Sequence, residues 1–353
     1  MLLKIVNLRM SQLPNLAFRT KPKQLNNSGS GRVNLLVLLL IFLAVFSLIA
    51  FNRQNIFDWW KLRGYQPSTA VAGIADQDTM TPYARKIFYV NHPIINDKTT
   101  FVKVCPNNGG EQTIVLGCYH SNQAGINLLN VTDTRLNGVE QVTAAHEMLH
   151  AAYDRLSSSE KKNVDNLLTN YYENGLKDPR ILATIAAYKK SEPKDVVNEM
   201  HSVFGTEVAN LPPTLEQYYA KYFTNRQAVI ALAGAYESEF TSRQATVSAD
   251  DTKLVSLKSQ IDALEEDLKN RQSVISSKQQ DLNNLRNSGD FAAYNAAVNP
   301  YNALIDAYNY EITRVQGLVD QYNSLLEARN AVALEENQLV NDLNASNLSP
   351  INK

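Results

Sequence analysis

Ala144-Ala145-His146-Glu147-Met148-Leu149-His150-Ala151 carries the pattern H-E-x-x-H. On a helix, residues four apart lie on one face, one turn apart. His146 and His150 therefore offer two imidazoles to one metal ion, with Glu147 beside them to act on a water molecule. Zinc with an open coordination position lowers the pKa of its water to about 7. A neighbouring carboxylate can then accept the proton as that water attacks a carbonyl. The plain alternative is a surface helix with two solvated histidines. The flanking residues favour the metal. Asn137 with Glu140 three positions on is a capping-box pattern. Val139, Val142, Leu149, Tyr153 and Leu156 then recur at helical spacing, which predicts a helix with one buried flank bordered by the histidines.

The chain has 353 residues, a length that suits two or three domains. Its net charge of -1 gives no footprint for nucleic acid. Residues 1–32 contain Lys4, Arg9, Arg19, Lys21, Lys23 and Arg32 and no acid, and read as a basic cytoplasmic arm. Residues 33–51 are apolar except Asn34 and Ser47, long enough to span a bilayer core. A cleaved signal peptide is the rival reading, but no small-x-small pattern follows the apolar run, so the stretch is read as a signal anchor. The positive-inside rule puts the N-terminus in the cytoplasm and everything after about residue 51 outside, with Trp59 and Trp60 suited to the outer interface. Residues 52–82 read as a linker, and Thr81-Pro82 opens a short helix.

Phe101 to Cys105 is strand-like, Asn107-Asn108-Gly109-Gly110 is a turn signal, and Thr113 to Cys118 can return as a second strand. Cys105 and Cys118, the only cysteines, would meet across that hairpin, and outside the cytoplasm such a pair forms a disulfide. Ala124 to Val131 is a third expected strand, placed just ahead of the metal helix, where it could take up extended peptide by edge pairing.

Helices follow. Ser157 with Glu160 starts one that Gly175 ends; Asp178-Pro179 starts another, through Tyr188; Glu192-Pro193 opens a third, ending at Gly205. Thr214 with Gln217 is a further capping-box pattern. A catalytic zinc takes three protein ligands and keeps one open position. The third helix can supply the missing ligand from Glu199, His201 or Glu207; Glu199 and His201 stand about 200° apart round a helix and cannot face one ion equally.

The sequence resembles the zincin metallopeptidases over about residues 100 to 225, in particular the gluzincin branch to which thermolysin belongs. That branch places a Glu, often preceded by Asn, on a later helix as third ligand, and Asn198-Glu199 matches. The resemblance implies Zn2+ held by His146, His150 and Glu199, with Glu147 as general base. Asp154 falls where these enzymes carry an Asp four residues after the second His, and would orient a ligand from behind. Family members also stabilise the oxyanion with a His or Tyr, a role open here to His201, Tyr153 or Tyr188. The interval from His150 to Glu199 exceeds that of thermolysin-like enzymes, and the metzincin extension H-x-x-G-x-x-H is absent.

From Leu254, apolar residues step by three and four through Leu257, Ile261, Leu264, Leu268, Ile275, Leu282 and Leu285, with Arg271 and Lys278 breaking the seam. A second run begins near Asn299-Pro300 and continues from Tyr301 to Leu343. Two helices folded back on each other account for both; a parallel dimer of two chains is the rival.

The expected class is α+β: a single N-terminal transmembrane helix, a zincin-like domain over 83–245 with a small β-sheet and mostly helices, an antiparallel coiled-coil hairpin over 246–345, and a disordered tail over 346–353. The expected function is that of a single-pass membrane zinc peptidase acting on peptide or protein outside the cytoplasm, with the coiled coil free to hold a protein partner. The alternative is a non-catalytic coiled-coil scaffold of the cell envelope whose zincin-like domain binds metal without hydrolysis.

Overall fold

A computed structural model describes residues 30–106 and 115–344. The arm over 1–29, the turn over 107–110, the start of the second expected strand and the tail over 346–353 lie outside the described residues. The chain divides into two units, Met1–Trp60 and Lys61–Lys353. The first carries most of α1 (Ser30–Leu62), whose Val37–Leu62 stretch has mean hydropathy 2.0 and is long and apolar enough to cross a membrane. The helix runs on beyond 51 into residues expected to be linker.

The second unit begins with helices set by short polar caps. Ser68 accepts from the Val71 N–H and starts α2 (Thr69–Gln77); Thr81 accepts from the Ala84 N–H and starts α3 (Pro82–Val90), with Pro82 in the first turn where its missing N–H costs nothing. α2 is no linker, because Val71, Ile74 and Ala75 enter the main core.

β1 (Ile94–Asn96) follows, then α4 (Lys98–Val104), β2 (Gly117–His120) and β3 (Gly125–Leu129). The expected strand over 101–105 is therefore helix. Asp97 caps it by accepting from the Thr100 N–H and hydroxyl, and the i, i+4 pair Phe101 and Cys105 then buries together against Leu129. The Cys105–Cys118 disulfide is present, but it joins the end of α4 to β2 rather than two strands of a hairpin. The sheet order is β1-β3-β2, with β1 parallel and β2 antiparallel to the central β3.

After a 3-10 turn (Thr134–Leu136) comes α5 (Val139–Asp154), the helix of the H-E-x-x-H pattern. Its cap is Gly138 at φ 105, not Asn137, and Glu140 accepts from the Val131 N–H instead of closing a capping box. Glycine is required there on two counts: the left-handed backbone, and a Leu232 carbonyl that a Cβ would meet at 3.0 Å. α6 (Ser158–Asn174) does have its capping box, Ser157 with Glu160. α7 (Pro179–Ser191), α8 (Val196–Glu207) and α9 (Pro213–Tyr219) complete the helical layer. α8 passes through Gly205 rather than stopping at it, and α9 starts at Pro213 without a side-chain cap from Thr214. The core joins Ile126 and Leu128 of β3, Ala145, Met148 and Leu149 of α5, and Met200, Val203 and Phe204 of α8.

α10 (Arg226–Ser288) and α11 (Phe291–Leu343) form the expected helical hairpin. Gly289 at φ 80 ends α10, and Asp290 caps α11 at the Ala293 N–H. The cross-helix pairs Arg243–Glu335 and Arg329–Asp251 each sit about equidistant from Gly289, the signature of antiparallel pairing. α11 starts before Asn299-Pro300 and continues through Pro300, whose ring lies on the exposed face. α10 begins well ahead of 246, because Arg226, Val229 and Ala233 belong to the domain core. The returning end of α11 packs there too, Leu339 and Leu343 against Leu136 and Val139.

Asp78, which ends α2, is wholly buried, and neither carboxyl oxygen has a hydrogen-bond partner among the described residues. Burial holds its pKa well above the ordinary value. In the unfolded chain an Asp ionises near pH 4, so the fold loses stability as pH rises from there towards the raised native pKa. Asp78→Asn is expected to unfold at a higher temperature than the parent at pH 7 and at about the same temperature near pH 3, as read by thermal melts.

Candidate metal centre

His146 and His150 stand one turn apart on α5, their rings 4.7 Å between centroids and 71° to each other. α8 crosses beside them and presents Glu199 from its first turn. One Glu199 carboxylate oxygen lies 3.5 Å from His146 Nε2 and the other 3.5 Å from His150 Nε2. All three donors lie within 4.8 Å of one another. A separation of 3.5 Å is long for a hydrogen bond. It matches the edge of a tetrahedron around an ion with bonds of about 2.1 Å, whose ligand atoms stand about 3.4 Å apart. The donor set, two neutral nitrogens and one carboxylate, suits a divalent ion in chemistry as well as in spacing.

The three groups are nearly enclosed: Glu199 is 7% exposed and His150 8%. Burial alone would raise the Glu199 pKa; the facing His150 and His146 and a hydrogen bond from Tyr188 outweigh it, so the carboxyl stays below its ordinary range and ionised. The bond that usually supports a ligating imidazole from behind is missing at His150, whose Nδ1 is buried with no hydrogen-bond partner among the described residues.

Glu147 is 7% exposed and lies against β2. A Cβ on Gly117 would meet Glu147 Oε1 at 2.9 Å and Thr143 Cγ2 at 2.6 Å. Glycine therefore lets the strand close over the glutamate, a contact that spacing along the chain could not show.

The other expected site residues are placed elsewhere. Asp154 does not support a ligand: its carboxylate accepts from the Tyr119 hydroxyl and the Asn122 N–H, tying the end of α5 to the β2–β3 turn. Tyr153 donates to Asp165, and its ring lies 5.3 Å from that of His201. His201 is neither ligand nor oxyanion donor. It is wholly buried among Tyr153, Tyr218, Tyr219 and Tyr222, with Nε2 2.8 Å from the Tyr218 hydroxyl, and burial holds its pKa down to about 3. Its position about 200° round α8 from Glu199 leads into the core. Glu207, the remaining ligand candidate, pairs with Arg180. Of the expected oxyanion donors, Tyr188 alone is bonded to a ligand, through Glu199.

Glu192 was not anticipated. It ends α7, and its pKa is raised by partial burial and then by repulsion from Glu199 and Asp195, which places a further carboxyl beside the centre. The dipeptide Glu192-Pro193 reads as a helix opening and gives no hint of this. Nor is β3 an edge: it is paired on both sides and has no free backbone row, whereas β2 pairs only with β3 among the described residues.

No protein family, curated protein or solved structure matches the chain.

Removing a donor should empty the site. His146→Ala and Glu199→Ala are each expected to abolish stoichiometric zinc uptake by the disulfide-bonded protein in a calorimetric titration. Tyr188→Phe should weaken it by about 10–100-fold, as loss of a ligand's supporting hydrogen bond does. Glu207→Gln should leave it unchanged.

Proposed function

We propose that the chain is a membrane-anchored zinc-dependent metallopeptidase, with its N-terminus in the cytoplasm and the metal centre outside. The observation that carries this reading is the convergence of His146, His150 and Glu199, their donor atoms within 4.8 Å of one another, at the helix that also carries Glu147. A fold that needed only a helix contact there would have no reason to bury a carboxylate against two imidazoles.

Zinc held by His146, His150 and Glu199 would lower the pKa of a water molecule and polarise a carbonyl. The remaining work falls to the chain. Glu147 takes a proton from the attacking water and returns it to the leaving amine. Gly117 leaves it room, and its burial excludes competing solvent. Tyr188 holds Glu199 in place. The edge of β2 that has no strand partner among the described residues lies on the strand whose Gly117 packs against Glu147, and it would offer backbone N–H and C=O groups to an extended peptide.

The apolar helix over Val37–Leu62 supports the anchor, and the basic arm before it supports the orientation. The Cys105–Cys118 disulfide fits an oxidising compartment.

The full-length protein in detergent should carry zinc and cleave an unfolded protein substrate in a chelator-sensitive reaction. Glu147→Gln should keep the zinc and cut turnover by about 10²–10⁴-fold, the usual contribution of a positioned base. Zinc uptake without hydrolysis of any member of a peptide library would instead establish the scaffold reading.

A further inference from the structure

Cys118 and His120 are two apart on β2, so their side chains leave the same face of the sheet. His120 Nε2 lies 3.6 Å from Cys118 Sγ. Cys105 reaches the same point from the end of α4, and the sulfurs and the imidazole nitrogen all lie within 4.8 Å of one another. The spacing is that of a ligand set. With a zinc–sulfur bond of about 2.3 Å and a zinc–nitrogen bond of about 2.0–2.1 Å, a tetrahedral ion holds S and N about 3.5 Å apart. The Cys118–His120 pair therefore already spans one edge, and only Cys105 Sγ has to move away from its partner to complete a face.

We propose that Cys105, Cys118 and His120 form a second metal seat, closed by the disulfide and opened to zinc when that bond is reduced. A dithiol reductant gives two electrons and two protons to the Cys105–Cys118 bond and becomes a disulfide itself. The two thiols then release their protons to solvent as they bind the ion, and His120 joins through Nε2 as the neutral imidazole. Two thiolates and one imidazole around a divalent ion carry no net charge. That suits Cys105, which is 7% exposed and packed among Phe101 and Leu129, where a lone thiolate would be costly. Cys118 and His120 are half-buried, and three protein ligands would leave a fourth coordination position open. Soft thiolate ligands select zinc over magnesium or calcium. The seat adjoins Gly117, so its occupancy fixes the strand that covers Glu147. The inference stands on these three residues and does not depend on peptidase activity.

Cobalt(II) is the probe, because thiolate ligation produces a sulfur-to-cobalt charge-transfer band that a His-His-Glu site cannot. Full-length protein in detergent is titrated anaerobically before and after reduction. The disulfide form should bind one equivalent without the band, and the reduced form a second equivalent with it; zinc should displace the cobalt and erase the band. The band should survive in the His146→Ala/His150→Ala variant, which separates this seat from the first. Cys118→Ser should abolish it, and His120→Ala should weaken the reduced protein's affinity by more than about tenfold. Reduced parent protein that shows no charge-transfer band would overturn the proposal without recourse to any variant. So would an affinity unchanged in His120→Ala, or loss of the band in His146→Ala/His150→Ala.

Discussion

Gly205 has no side chain to hold α8 away from α5. A Cβ at that position would overlap the Leu149 side chain and come within 2.8 Å of the Tyr219 ring. The two helices consequently pack at close range, and Glu199, less than two turns back along α8, is brought level with His146 and His150. The arrangement is demanding. An isolated buried carboxylate carries a desolvation penalty of several kcal/mol, and here it is met by two imidazoles and a tyrosine hydroxyl. The surrounding apolar residues, Met148, Leu149, Val203 and Phe204, fix the distance at which that balance is struck.

Around this contact the remaining elements act as positioning devices. The disulfide closes a segment of sequence separation 13, which restricts the unfolded chain by roughly 3 kcal/mol in the loop-entropy account. Its structural effect is to hold β2, and with it Gly117, against Glu147. Arg226 does comparable work at the far end of α8. Buried at the first residue of α10, it donates to the carbonyls of Phe204, Val208 and Ala209 and pairs with Glu216. The carbonyls that every helix end leaves without partners are thus satisfied by the neighbouring helix.

The sequence made the His146, His150 and Glu199 group more legible than the sheet. His146, Glu147 and His150 are readable because a helix has one period and the pattern obeys it. Glu199 needed a resemblance to single it out from His201 and Glu207, since nothing local says which face of α8 meets α5. His201 looked functional by residue type alone, yet its side chain is spent on an aromatic cluster. Phe101 to Cys105 looked like a strand by composition, but Asp97 caps a helix there and tertiary burial of Phe101 and Cys105 wins over propensity. Asn137 and Thr214 matched a capping pattern that the backbone does not use, whereas Ser157 matched the same pattern and does. The difference lies in long-range contacts, such as Leu232 against Gly138, that no window of sequence contains. The hairpin was legible as two seams, but its root was not: the seam begins at Leu254, whereas the helix begins at Arg226, inside the domain core.

That shared root gives the hairpin mechanical leverage. α10 is 63 residues long, about 94 Å of rigid rod, and its first turns are bolted into the same packing that spaces α5 and α8. A rotation of one degree at Arg226 sweeps the distal bend through more than about 1 Å. Run in reverse, a sideways load far out on the rod arrives at α5 and α8 reduced in travel and multiplied in force.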